Sequence, residues 1–245
     1  MAVDDYLFQS TEKVAQTYIR FYRWKSPTVS LGYSQKIKEA VDVDFCLKNG
    51  IDIVRRITGG KLVLHHREVT YSICSSDKAT FTSKLIDSYR LISESLMRGL
   101  EIMGLRPCLS KNPPPITYVR GSFPCFSYPA QNEIEVDGKK IIGSAQKRVG
   151  SRFIQHGSIP LEENDEVLES ISLLEEMGES IRMISISTAL GRNVGFNWAV
   201  NHFVSGVSDY FGVMLKSKSF TKEEKKNISN IQKERYKNPD WTYRA

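Results

Sequence analysis

The 245-residue chain contains no run of 18 or more apolar residues, so no segment reads as a membrane-spanning helix. Its first residues, MAVDDYLFQS, carry acids where a secretory leader has a basic stretch, which argues against a cleaved signal. The helix predicted there begins almost at once, which raises the expectation of a further segment upstream. Cysteine is sparse: Cys46, Cys74, Cys108 and Cys125 form no C-x-x-C pair, and no Cys/His spacing resembles a zinc site. Without a secretory leader each thiol reads as free in a reducing cytoplasm. The phosphate-binding pattern G-x-x-x-x-G-K-[ST] is missing, and there is no internal repeat, low-complexity tract or linker. The net charge of +6 is moderate and suits an acidic protein partner; with no nucleic-acid reader motif, nucleic acid is the weaker reading.

Hydrophobic residues at 40% and charged residues at 25% are ordinary for a globular chain with ample core. An amphipathic helix is predicted over residues 3–23. TVSLGYS (28–34) reads as a strand, VDVDFCLKNG as a short helix closed by Asn49-Gly50, and IDIVRRI as a strand running into a Thr58-Gly59-Gly60 loop. KLVLHH and VTYSICS are two further strands, and residues 80–104 have helical periodicity ending at glycine. NEIEV and KKIIGSAQ flank Asp137-Gly138, a strong hairpin signal, and FIQHGSIPL is another strand. Beyond it the chain turns helical (about 162–245), with apolar spacing in WAVNHFVSGVSDYFGVM and a capping box at Thr221–Glu224. The expectation is one catalytic-type domain over 1–245, α/β (α+β), with a mixed β-sheet flanked by helices.

Four constellations bear on chemistry. Arg55-Arg56-Ile57-Thr58-Gly59-Gly60 ends a strand, where glycines admit a ligand close to the backbone; an ordinary strand-end turn is the plain alternative. Adjacent strand residues face opposite ways, so one arginine faces a ligand and the other makes a structural ion pair. His65 and His66 cannot readily share a metal for the same reason. Cys125, in PCFSYP, precedes a hairpin whose second strand carries Lys140; a nearby ammonium favours thiolate, whereas by composition a free cysteine is a small apolar filler. The basic stretch from Lys216 to Lys237 interleaves lysines with acids at helical spacing, as a solvated helix face does.

Taken in order, W-x-x-PTVSLGYSQ (24–35), RRITGGKLVLHH (55–66), VTYSI (69–73), GKKIIGSAQKR (138–148) and QHGSIPL (155–161) resemble the biotin/lipoate protein ligase superfamily over most of the chain. The resemblance implies that superfamily's catalytic-domain fold and a medium-length acyl ligand. It further implies substrate-binding roles for Arg55, Arg56, Thr58, Gly59, Gly60, His65, Gly143, Ser144, Ala145, His156 and Gly157, with Lys140 beside the acyl carbonyl. His66 departs from the pattern, standing where aspartate follows the histidine, as does Lys61, where a small residue or arginine is usual.

Two reactions run on this scaffold. In the cysteine-dependent octanoyl-[acyl-carrier-protein]:protein N-octanoyltransferases, Cys125 and Lys140 are catalytic and no cofactor is needed. The partners are then octanoyl-acyl carrier protein and lipoyl-domain acceptors such as glycine cleavage H protein or 2-oxoacid dehydrogenase E2. A lipoate–protein ligase uses ATP and Mg2+ and needs no cysteine. Three features resemble the transferases more closely: the PCFSYP loop ahead of Glu133-Ile134, the LVLHHREVTYSI version of the strand pair, and an end soon after NPDWTYRA where many ligases continue. The segment Tyr128-Pro129-Ala130-Gln131-Asn132 departs from the transferases' Pro-Ser-x-Tyr.

Overall fold

The computed structural model describes residues 1–82, 84–110, 133–173 and 183–244; Cys125 and its PCFSYP loop lie outside them. Alternating aromatic and β-branched residues build a six-stranded sheet in the order β1 (Thr17–Tyr22), β5 (Glu68–Ser75), β9 (Arg152–Pro160), β8 (Lys139–Val149), β7 (Ile134–Val136) and β6 (Cys108–Leu109). Every neighbouring pair in it is antiparallel. A second, three-stranded sheet has β2 (Thr28–Leu31) in the middle, parallel to β3 (Asp52–Arg55) and antiparallel to β4 (Val63–His65). The mixed strand directions expected from sequence thus sit in the small sheet.

The predicted helix over 3–23 is corrected by the structure. α1 covers only Ala2–Ser10, and the chain then becomes β1, paired with β5 from Thr17↔Ser75 to Tyr22↔Thr70. TYIRFY has apolar residues at a spacing that serves either period, and an available sheet edge decides for the strand. α1 instead covers the sheet through Leu7 and Phe8, which pack with Cys74 and Ile154. Its Asp4 is buried and bonds Arg20, Tyr22 and Ser72 from two strands.

The opposite face of the large sheet carries the main core. α4 (Leu85–Ile102) and α7 (Phe196–Phe211) bring Ile92, Leu96, Leu100, Ala199 and Phe203 against Tyr71, Ile73, Ile141 and Phe153. β5 is buried along its whole length because both faces of the sheet are covered. The small sheet has its own core, where Val29, Leu31, Leu62 and Leu64 meet α2 (Ile37–Ala40), α3 (Val43–Lys48) and α5 (Asp165–Ile171). α6 (Ile186–Leu190) precedes α7, and α8 (Lys222–Ile231), opened by the expected capping box at Thr221, leads through a π-helical turn to α9 (Pro239–Thr242). Among the described residues no helix is long and apolar enough to cross a membrane.

α4 and α7 touch backbone to backbone. A Cβ on Gly206 would lie 2.2 Å from the Gly99 nitrogen and 2.5 Å from its Cα. Gly206→Ala must therefore part the two helices over the main core. It should cost about 1–3 kcal/mol, the range for overpacked cores, read as a lowered urea midpoint at unchanged slope.

Candidate active site

Residues of both sheets line one small, shared cleft. The small sheet contributes Ser30, Val63 and His65, with Arg56 beside them; the large sheet contributes Thr70, Gly143, Ser144, Ala145, His156, Gly157 and Ser158. Seven residues expected to bind substrate therefore share this one cleft: Arg56, His65, Gly143, Ser144, Ala145, His156 and Gly157.

The Thr58-Gly59-Gly60 loop is drawn into its shape by Arg56. The guanidinium donates to the carbonyls of Ser30 (2.8 Å), Gly59 (2.9 Å) and Lys61 (2.6 Å). Gly60 adopts φ +90, and its carbonyl presses so close to Gly32 that a Cβ there would lie 1.9 Å from the oxygen. The loop can lie against β2 only because residue 32 is glycine. Thr58 meets the cleft through its hydroxyl, 2.6 Å from His156 Nε2.

Arg55, also expected to bind substrate, is not among the residues lining this cleft. It faces the other way, as strand alternation requires, but its partners are carbonyls rather than the expected acid. It donates to Gly32, Tyr33 and Gln35 on one side and to Trp241, Thr242 and Arg244 on the other. Arg55 thus ties the chain's last helix to the end of β2.

His65 and His66 diverge: His65 is buried in the cleft wall, whereas His66 is partly exposed and lines a different hollow. His65 is gripped on both nitrogens, by Glu68 (2.7 Å to Nδ1) and by Ser30 Oγ (2.8 Å to Nε2), and Trp24 stacks on its face at 4.6 Å. Glu68 also accepts from Thr70 and Ser158. A second polar chain runs beneath the cleft: Gln146 donates to Gln155 (3.0 Å), Gln155 to the Tyr71 hydroxyl (3.0 Å), and Tyr71 lies 2.6 Å from Ser144 Oγ. Burial pushes the Tyr71 phenol up to about 12, so it remains protonated. Sequence reasoning missed Trp24, Ser30, Glu68, Tyr71 and Gln155. The one signal available was an acid, Glu68, opening a run of strand residues.

Lys140 is buried on β8, just past the Asp137-Gly138 turn. Its ammonium lies 2.6 Å from the carboxylate of Glu133, itself buried. Both turn residues have positive φ (51 and 72), as a two-residue hairpin of the favoured hand needs. The expected meeting of Lys140 with Cys125 falls outside the described residues. Among those residues no cluster of three or more histidine, cysteine or acidic side chains could hold a metal.

His156 gives the cleft a pH signature. Burial, only partly opposed by the Asp4 carboxylate, pushes the imidazole down to about 3, and its Nδ1 has no partner among the described residues. The unfolded histidine takes up a proton below about 6.5 while the native one does not, so stability falls as pH drops from there toward 3. His156→Gln removes this contribution. Between pH 6.5 and pH 5 the variant should lose about 2 kcal/mol less stability to urea unfolding than the parent chain, and equal losses would refute the assignment.

The family model for the lipoyl protein ligase A/B catalytic domain matches residues 1–208. Curated relatives run the length of the chain. An octanoyltransferase LipM of Clostridioides difficile is 33% identical, covering 98% of this chain and 92% of its own. Another, of Bacillus cereus, is 33% identical over 100% and 93%. Among solved structures, a putative lipoate protein ligase of T. acidophilum with bound lipoic acid superposes with a TM-score of 0.81 at 22% identity, covering 99% of this chain and 92% of that one.

Proposed function

Because the chain belongs to the lipoyl protein ligase A/B catalytic-domain family, we propose that it is an octanoyltransferase. It moves an octanoyl group from octanoyl-acyl carrier protein, through a thioester on Cys125, to a lysine of a lipoyl-domain protein. The observation that carries this reading is the end-to-end similarity to octanoyltransferases at 33% identity. The cleft supports it by gathering seven of the residues expected to meet the acyl group, whose burial gains roughly 0.8 kcal/mol per methylene.

In the first half-reaction the Cys125 thiolate attacks the donor's thioester carbonyl. A C–S bond to Cys125 forms, the C–S bond to the carrier breaks, and the carrier departs as its thiolate, which takes up from solvent the proton that the Cys125 thiol had released. One thioester replaces another, so no nucleotide is needed. The Lys140 ammonium favours the thiolate and balances charge developing on the carbonyl oxygen. In the second half-reaction a neutral acceptor amine attacks the octanoyl-enzyme. The C–N bond forms, the C–S bond to Cys125 breaks, and the amine's proton passes to the departing sulfur. Amide formation from a thioester is downhill and makes the sequence directional. The acceptors are lipoyl domains such as those of glycine cleavage H protein or 2-oxoacid dehydrogenase E2. The net charge of +6 speeds encounter with acidic partners of this kind and makes the rate fall with salt.

Incubation with octanoyl-acyl carrier protein and no ATP should leave one octanoyl group on Cys125, seen by intact mass. Cys125→Ser should abolish the adduct and lower transfer roughly 10³-fold or more. ATP-dependent lipoyl transfer that survives Cys125→Ser would instead establish a ligase.

A further inference from the structure

Glu133 has no assigned role, yet it is the acid that meets Lys140. The carboxylate and ammonium are 2.6 Å apart and almost wholly enclosed, at 5% and 1% exposure. Burying two charges costs several kcal/mol per ion, and an apolar pair of like volume often serves a fold as well. The hairpin fold alone does not call for charge here.

The register shows where the carboxylate holds the ammonium. Ile134 pairs with Ile142, and after an irregularity Glu135 pairs with Lys140. Continuing the first pairing by one residue sets Glu133 beside Gly143, a residue of the cleft wall. Its backbone is fixed there, since its carbonyl accepts from Ser110 N–H at 2.8 Å. The Glu133 charge also acts on Tyr71, whose hydroxyl lies 2.6 Å from Ser144 of the same wall. The Lys140 backbone is pinned separately, its carbonyl accepting from Ile184 N–H at 3.0 Å. The side chain of Lys140 is therefore drawn along its strand toward Gly143 and Ser144.

We infer that Glu133 is a positioning residue for acyl transfer, fixing the place of the Lys140 ammonium through their buried ion pair. The inference rests on the reading that Lys140 serves octanoyl transfer through Cys125. Glu133 touches neither donor nor acceptor and acts on transfer through the lysine.

The test is single-turnover formation of octanoyl-Cys125 from octanoyl-acyl carrier protein, followed by intact mass, in Glu133→Gln and Glu133→Asp. Gln keeps the shape and loses the charge; Asp keeps the charge with a shorter reach. The expected order of rates is parent, then Asp, then Gln. Gln should fall about 100-fold, the scale of one electrostatic group in a reacting site, with the donor concentration for half-saturation unchanged. In the Lys140→Met background, Glu133→Gln should change the residual rate no further. A Gln variant within about twofold of the parent, a Gln variant as fast as Asp, or losses that add in the double variant would each overturn the inference. Should Glu133→Gln fail to fold, Glu133→Asp carries the same cycle: a loss seen with Lys140 must vanish in the Lys140→Met background, and a loss that persists overturns it. A parent chain that forms no octanoyl-Cys125 refutes the acyl-enzyme reading itself and takes this inference with it, a result distinct from any difference among variants.

Discussion

Two adjacent guanidinium groups, turned to opposite sides of one strand end, hold this molecule's cleft in shape. Arg56 gathers the carbonyls of Ser30, Gly59 and Lys61, and Arg55 gathers carbonyls from the end of β2 and from the last residues of the chain. Loop carbonyls that leave water need donors, and an unmet one costs on the order of 1–3 kcal/mol. One guanidinium brings five N–H donors in a rigid fork, so a single side chain serves several at once. The Gly-Gly loop, its seat against β2 and the docking of α9 all rest on this pair.

The cleft is lined by polar groups already engaged with one another. His65 is held on both nitrogens, Glu68 accepts from three side chains, and Ser144 is tied to Tyr71. Networks of this kind are rigid because each member's hydrogen bonds fix the next.

Much of this was legible in the sequence, for local reasons. The Asp137-Gly138 hairpin, the helix ending at Gly104 and the Thr221 capping box each depend on neighbours a few residues away. The cleft wall was legible through family resemblance, since the segments carrying Gly143, Ala145 and His156 keep their order. The sequence showed that Arg55 and Arg56 part, but a strand's alternation does not say which of them lines the cleft. β1 was read as helix because its fate depends on β5, some fifty residues on. Glu68, Tyr71 and Gln155 stand inside or beside segments that carry the resemblance, but were not singled out, because their importance lies in partners from other strands and no spacing in the sequence encodes those contacts.

The hairpin turn also works as a registration mark. Side chains on a strand alternate between faces, so a slip of one residue sends each of them to the other side. Lys140 stands only two residues beyond Gly138, closer to the turn than to any other fixed point on β8. One residue added to that turn would leave the sequence of β8 untouched, yet would exchange the inward place of Lys140 for the outward place of Lys139. The reach of the lysine is therefore measured from a turn that itself carries no chemistry, and the length of that turn is as constrained as the strand's own sequence.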